Sequence, residues 1–584
     1  MKRFFIFFTI MACVAAAITG YLLLNQVETT REPIDFLGAE TPLVIELRDP
    51  VTSLLRFKNS YLGKKLAQVD RPLLYQELGI DESTSGRLEK ILRILANNLD
   101  NPLCRELFGQ EVILALVPLE KTNLDTKTGT IADNLVVIVR PRHRAAVLDF
   151  VGSLVAGDDQ RLVEQFGKTA IREVNLDRSQ NGMGSGGIKI YTATANGLLL
   201  ASMSPTPLRR CLAEVEGESP GLAQQKSYFD LHDRATDTIP MFSYCNLVLF
   251  NKLLREKRLN LASSLRRQLE ALPVIGNNES WAQAMAITGS TMGNRLTYTA
   301  TLQYDPAKIA QRNTVFSRHP AANRSLAMVP SNQLLYFWTN YFQLRSWLSP
   351  FASERFNLVG RLDKSLHTTT GYGIADLEPL LGRNFALSIA DVNADHYVPL
   401  PMMCFFLQIK DREQVQRILE KPLSHLPVKR ESINSIPITS IQAAGGLLQP
   451  SFAYVDDLFI IADSREQLVA ILKGDQANTL VHDPLFQRID NGLAEKNNIV
   501  TFIRTRELIG VLQTFASWAG STLTIEDEQE AARISNLVNR VIMPILEGLK
   551  MYRINNGRFY NTGDEFRLVA DFLVDADGIQ NNIP

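Results

Sequence analysis

The second half of the chain repeats the first. Gly197-Leu-Leu-Leu-Ala-Ser-Met-Ser204, followed by a helix-like Pro205–Leu212, recurs as Asp457-Leu-Phe-Ile-Ile-Ala-Asp-Ser464 followed by Arg465–Leu472. Leu208 and Leu212 fall on Leu468 and Leu472. Whatever this chain folds into must therefore be a unit that can be built twice. Leu200 and Ile460 are expected to be buried equivalents on one strand of each copy.

The repeat extends through most of the length. Leu107-Phe-Gly109 before Val112–Val117 recurs as Leu380-Leu-Gly382 before Phe385–Ile389. Val136–Val139, then a basic stretch, recurs as Cys404–Leu407. Phe242, Tyr244 and Phe250 map to Val500, Phe502 and Leu508, and Pro273 maps to Pro544. Gly293–Asp305 maps to Gly563–Asp575, and across these segments the shift stays between 257 and 273 residues. The opening strands, Leu43–Leu47 and Leu334–Trp338, match more weakly. These boundaries give a first repeat at 26–305, a linker at 306–325 and a second repeat at 326–584. Pro306, His319-Pro320 and Asn323 interrupt the patterning at the joint.

Within one copy, hairpins dominate and helices are inserted between them. Val112–Val117 and Asn134–Val139 read as an antiparallel pair. Ile188–Thr194 and Leu198–Ser202 read as a hairpin turned by Asn196-Gly197. Phe250–Leu272 and Ile525–Met543 read as matching long helices, each meeting a proline. Their aliphatic stripes (Leu253, Leu261, Leu265 and Leu269; Ile534, Leu537, Val541 and Ile545) are expected to lie on the sheets. A kink near Pro544 and a further turn or two should follow, and Thr524 should cap the second helix. The fold class is α+β: two tandem copies of one unit, largely antiparallel sheets with helices packed on them.

Met1-Lys2-Arg3 precedes an apolar run over residues 4–24. As a helix it spans roughly 32 Å, the thickness of a bilayer core. The basic residues favour a cytoplasmic N-terminus with the rest of the chain outside. The expected location is the inner membrane, single-pass, with a periplasmic ectodomain. A cleaved signal at residues 1–25, leaving a periplasmic protein, is the alternative. Sixty-one basic against 62 acidic side chains argue against a nucleic-acid partner. Cys211, Cys245 and Cys404 stand where the other copy puts Ile471, Ile503 and Val136, so they read as packing thiols.

The Gly109 and Gly382 steps, and the Leu-Leu-Ala-Ser and Ile-Ile-Ala-Asp strands that enter helices at Ser204 and Ser464, carry a resemblance. The chain resembles a family of uncharacterised, membrane-anchored bacterial envelope proteins with duplicated domains of unknown function. The resemblance implies location and architecture, and supplies no active site.

No catalytic, cofactor or metal signature stands out. Asn181-Gly-Met-Gly-Ser-Gly-Gly187 is followed by a strand, where a phosphate loop needs a helix. Asp391, Asn393 and Asp395 alternate like calcium ligands, but His396 and Met402 occupy the positions of the required Gly and Glu. The seven histidines show no metal spacing. Lys252, Arg255, Lys257, Arg258, Arg266 and Arg267 give the first long helix a basic face. The best surface candidate is the aromatic cluster Tyr336, Trp338, Tyr341, Phe342, Trp347 and Phe351, as a partner or apolar-ligand surface. The leading functional expectation is a non-enzymatic scaffold or assembly factor that contacts other envelope proteins. A lipid or apolar-ligand shuttle and an enzyme assembled from dispersed residues are the alternatives.

Overall fold

The structure is a computed structural model. It describes residues 31–80, 99–118, 131–142, 160–175, 189–217, 221–234, 240–256, 281–312, 317–348, 358–392, 401–443, 449–474, 478–522 and 528–575, with single positions between 85 and 97. The chain is α+β, with antiparallel sheet and helices. It divides into two compact units. The first takes residues 1–58, 81–291 and 300–308; the second takes 59–80, 292–299 and 309–584.

The first unit holds β1 (Leu43–Arg48), β2 (Glu111–Leu116), β3 (Leu135–Arg140), β4 (Gln160–Phe166), β5 (Thr169–Asn175), β6 (Lys189–Ala195), β7 (Leu198–Ser202), β8 (Met241–Asn246) and β9 (Ala282–Met292). They pair antiparallel in the order β4-β5-β6-β7-β3-β2-β1-β8-β9. β10 (Arg295–Tyr304) follows. The second unit holds β11 (Leu335–Thr339), β12 (Leu381–Val392), β13 (Pro401–Ile409), β14 (Val428–Ile433), β15 (Ile436–Ile441), β16 (Ser451–Val455), β17 (Leu458–Ala462), β18 (Ile499–Ile503), β19 (Tyr552–Asn561) and β20 (Glu565–Val574). Their order is β14-β15-β16-β17-β13-β12-β11-β18-β19-β20, again antiparallel throughout.

Local chemistry explains the hairpins. Asn196 (φ 50°) and Gly197 (φ 78°) form the left-handed pair that a two-residue hairpin turn requires. Asn434 (φ 49°) and Ser435 (φ 66°) turn β14 into β15 in the same way.

The opening strands each lie inside their sheet. Val44 sits between Ala115 and Tyr244, and Tyr336 sits between Ser388 and Phe502. Val44 and Tyr336 are both fully buried. Two residues on, Glu46 and Trp338 are also buried, at 7% and 2% exposure.

Helices cover the strands. Pro205–Glu216 buries Leu208, Cys211 and Leu212; Arg465–Lys473 buries Leu468, Ile471 and Leu472. Each large aliphatic side chain removed from water contributes about 2 kcal/mol. Ser464 Oγ accepts from Gln467 N at 3.2 Å and caps its helix, whereas Ser204 makes no such bond. Cys211, Cys245 and Cys404 are buried free thiols, each raised in pKa by burial.

The helical ends differ from expectation. After β8, Leu247–Arg255 buries Leu247, Phe250, Leu253 and Leu254, and Leu261, Leu265 and Leu269 lie outside the described residues. After β18 a helix runs from Thr505 to Thr522, ahead of the one expected over Ile525–Met543. Thr524 lies outside the described residues. Glu528–Leu537 then continues through a π-turn, Val538–Ile542, into Met543–Leu549. The chain thus stays helical beyond Pro544 to Leu549, the further turn expected from sequence. Having no N–H, Pro544 leaves the Arg540 carbonyl without its helical donor. The Asp70 N–H fills that place at 3.0 Å.

Ile534, expected on the sheet, is 43% exposed. The C-terminal helices instead receive segment 59–80, which carries the short helices Tyr61–Leu66 and Arg71–Glu77. Gly548 allows the approach: a Cβ there would lie 2.8 Å from Leu62 Cδ1. Arg533 grips Glu77 with Nε and Nη2 at 2.7 and 2.6 Å.

Tyr61 O–H donates to Glu547 Oε1 at 2.6 Å, and Gln513 Nε2 donates to Oε2 at 3.1 Å. The Tyr61 bond, then those from Gln513 and Lys550, hold the Glu547 carboxyl down at about 2. The same bond, then burial, pushes the Tyr61 phenol up to about 12. A depressed carboxyl stabilises docking above its ordinary value of 4.5 and loses that contribution as pH falls toward 2. A raised phenol stabilises below 10 and loses it as pH rises toward 12. Amide exchange protection over Tyr61–Leu66, corrected for intrinsic rate, should be flat from about pH 5 to about pH 9 and fall on both sides. Tyr61→Phe should remove the alkaline limb. A monotonic slope across the window would contradict the pairing.

Candidate functional site

The aromatic cluster divides between core and surface. Tyr336, Trp338, Tyr341 and Phe342 are 0%, 2%, 8% and 5% exposed. All four are buried packing residues, not the exposed aromatic surface expected from sequence, and Phe342 also lines a cleft. Tyr336 O–H is held by Asn323 Oδ1 at 2.8 Å, as a buried phenol requires. Trp347, on the helix Leu344–Leu348, is 38% exposed. Its ring lies 5.6 Å from Phe337, 5.6 Å from Phe342 and 5.1 Å from Phe385. Phe342 and Phe385 stack at 5.0 Å with a 12° interplanar angle. Phe351 lies outside the described residues.

Beside this stack the second unit opens two adjoining clefts of about 490 and 510 Å³. They share Gly382, Arg383 and Lys410. One runs past Phe342, Leu344, Arg345, Glu378 and Pro379; the other past Arg318, His319, Asn340, Asn384 and Gln408. Among the described residues, Arg318, Arg383 and Lys410 have no carboxylate partner. The nearby carboxylates are engaged elsewhere. Glu378 lies 3.4 Å from Arg345 Nε. Asp457 takes two bonds from Arg324 Nη2, at 2.7 and 2.8 Å, and one from Gln408 at 2.8 Å. Burial first, and then the Arg383 charge, pull the pKa of Arg318 below the usual guanidinium range.

Gly382, the second residue of β12, builds this place. A Cβ on Gly382 would lie 2.4 Å from Gln408 Oε1. Its absence lets Gln408 Oε1 accept from Arg383 N (3.2 Å), Asn384 N (3.3 Å) and Asn384 Nδ2 (2.9 Å). The bonds hold an irregular stretch where the β12–β13 register shifts between Leu381 and Phe385. Such bulges re-aim side chains. Gly109 performs a related task in the first unit. Arg142 Nε donates to its carbonyl at 3.0 Å, and a Cβ would lie 2.8 Å from that nitrogen. There, however, the cation is spent: Arg142 also meets Asp49 at 3.4 Å.

Other candidates settle into structural roles. Tyr228 O–H donates to the buried Glu46 carboxylate, and His232 Nε2 lies 3.3 Å from its other oxygen. Tyr228 stacks on His232 at 5.2 Å, and Phe242 closes the His232 ring at 4.9 Å. His482 Nδ1 lies 3.0 Å from Thr479 Oγ1. Asp391 is the next-to-last residue of β12, while Asn393, Asp395 and the glycine-rich 181–187 lie outside the described residues. Of the basic helix residues, Lys252 and Arg255 are described; 257–280 are not.

No family model and no curated protein matches this chain. Similar solved structures include crystal form I of TP0453, at 13% identity and a TM-score of 0.22. The match covers 47% of this chain and 80% of that one. Crystal form III of TP0453 gives 11% identity and a TM-score of 0.23 over 47% and 81%.

Proposed function

We propose that this is a membrane-anchored envelope protein, built as two copies of one α+β unit, which acts as a non-enzymatic scaffold or assembly factor. The apolar run at 4–24 behind Lys2 and Arg3 supports the anchor; among the described residues no helix is long and apolar enough to cross a membrane, and 1–30 lie outside them. The common strand order of the two units supports the duplication. The observation that carries the binding role is Trp347. An exposed indole backed by Phe337, Phe342 and Phe385 is already ordered, so little conformational entropy is lost when a partner covers it. Tryptophan in such a setting is the residue type that dominates interface energetics.

The test uses the intact protein extracted from membranes. Weighed whole, it should retain residues 4–24; a mature start near residues 18–20 would remove the anchor. Co-purification from cross-linked cells should recover envelope proteins with the wild type and lose at least about tenfold of them with Trp347→Ala. Unchanged recovery would refute this face. Recovery of lipid alone would favour the shuttle reading.

A further inference from the structure

The clefts of the second unit play no part in the scaffold role. Three cations reach them from separate stretches: Arg318 from the segment before β11, Arg383 from the bulge in β12, and Lys410 from the end of β13. Like charges brought together repel, and a fold with no use for them would set a carboxylate among them. Here Glu378 and Asp457 are already committed to Arg345 and Arg324.

The framework beneath these cations is polar and extensively hydrogen-bonded. Asn498 Nδ2 donates to the Arg318 carbonyl at 3.2 Å and to Asn340 Oδ1 at 3.0 Å. Asn561 Nδ2 reaches the same Arg318 carbonyl at 3.5 Å, and Asn340 Nδ2 donates to the His319 carbonyl at 3.0 Å. Asn497 and Ala321 exchange backbone bonds at 2.8 and 3.1 Å. These four asparagines are between 0% and 5% exposed. Buried amides specify one backbone path, because any other leaves them unsatisfied. The path they specify is the one that delivers Arg318. Gln408 fixes Arg383 and Asn384 from the other side. Yet Arg318 Nε is buried without a hydrogen-bond partner, and so is Asn384 Oδ1. A buried guanidinium nitrogen left without an acceptor is a cost that an anion drawn in beside Arg318 would offset.

We propose that Arg318, Arg383 and Lys410 bind the phosphate group of a phosphate ester. Two guanidinium forks and an ammonium match the several oxygens and the charge of a phosphate better than they match one carboxylate. Clefts of about 490 and 510 Å³ exceed what inorganic phosphate needs. The continuation past Phe342, Leu344 and Pro379 gives the esterified part an apolar wall. A phospholipid headgroup and a soluble phosphate ester share this chemistry. The inference stands on the clefts alone, independent of the anchor and of Trp347.

The experiment uses the full chain in neutral detergent, with two probes: glycerol 3-phosphate and dihexanoyl phosphatidic acid, with dihexanoyl phosphatidylcholine as the neutral-headgroup control. Calorimetry at low salt should show saturable binding of at least one phosphate monoester probe. Affinity should fall steeply with added salt. The double variant Arg383→Gln/Lys410→Gln should bind at least about tenfold more weakly. Its own thermal midpoint without ligand should be unchanged or higher, because repulsion has been relieved; that separates a lost site from a lost fold. Arg318→Gln should weaken binding alike, and Trp347→Ala should not. Equal affinity for both phosphate probes assigns a soluble ester. At least about tenfold preference for phosphatidic acid assigns a lipid headgroup. No binding by either phosphate probe at millimolar concentration, equal binding of phosphatidylcholine, or full binding by the folded double variant overturns the proposal.

Discussion

Ile460→Asp is expected to unfold the second unit, and Leu200→Asp the first. Both side chains are 0% exposed. Ile460 lies between Phe406 on β13 and Ala453 on β16, which are 1% and 0% exposed. Leu200 lies between Ile138 and Ala193, at 0% and 3%. An aspartate at either place loses the packing of a large aliphatic side chain. It must also bury a charge or take up a proton to avoid doing so. The combined cost is on the order of 5 kcal/mol, close to the whole stability of a typical domain. Ile460→Val, which trims one methyl group and adds no polarity, should cost only about 1 kcal/mol. Thermal unfolding followed by circular dichroism measures the series. If Ile460→Asp melted within about 2 °C of the wild type, the strand would not be the central element its register makes it.

Those strands were legible because their signals are local. Alternating or continuous apolar runs bounded by turn residues mark β2, β3, β7, β8 and β17, and Asn196-Gly197 marks its hairpin outright. The hairpin β4–β5 has no such signal, since Gln160–Phe166 and Thr169–Asn175 are mostly polar. On β1, Glu46 is buried, at 7% exposure. A buried carboxylate satisfied by Tyr228 and His232 reads, in sequence, as a surface position. Segment 59–80 was illegible for a different reason. Its anchors, Glu547, Arg540 and Arg533, are more than 450 residues away, and their contacts are single polar pairs, not a periodic stripe.

The candidate site was half visible. Gly382 stood out as a repeated step, but its reason, the approach of Gln408, is tertiary. Arg318, Arg383 and Lys410 have no common spacing; each is an ordinary surface cation until the sheet gathers them. The aromatic run around Trp338 was conspicuous because it is a core strand entering a short helix, and of its candidate residues that are described Trp347 is the exposed one.

The buried acid of β20 sets the second large expectation. Asp571 is 1% exposed. Its Oδ1 accepts from Arg295 Nε at 2.9 Å and from Thr297 Oγ1 at 2.5 Å, and Arg295 Nη2 lies 2.7 Å from Oδ2. Asn556 Oδ1 accepts from the Asp571 N–H at 3.2 Å, and Asn556 Nδ2 donates to the Ile489 carbonyl at 2.6 Å. Arg295 Nη2 reaches that same carbonyl at 3.3 Å. Asp571 thus fastens residues 292–299, through Arg295 and Thr297, to the sheet of the second unit. Asp571→Ala removes the acceptor and leaves a guanidinium in a largely closed place. Removing one partner of a buried pair costs about 3–5 kcal/mol. Arg295 keeps 26% of its side chain in water, so the lower end of that range is expected. Arg295→Met/Asp571→Leu should recover part of the loss, because no charge is then left alone. In a double-mutant cycle the coupling should exceed about 1 kcal/mol. Additive single-variant losses, each under about 1 kcal/mol, would mean that water, not Asp571, satisfies Arg295.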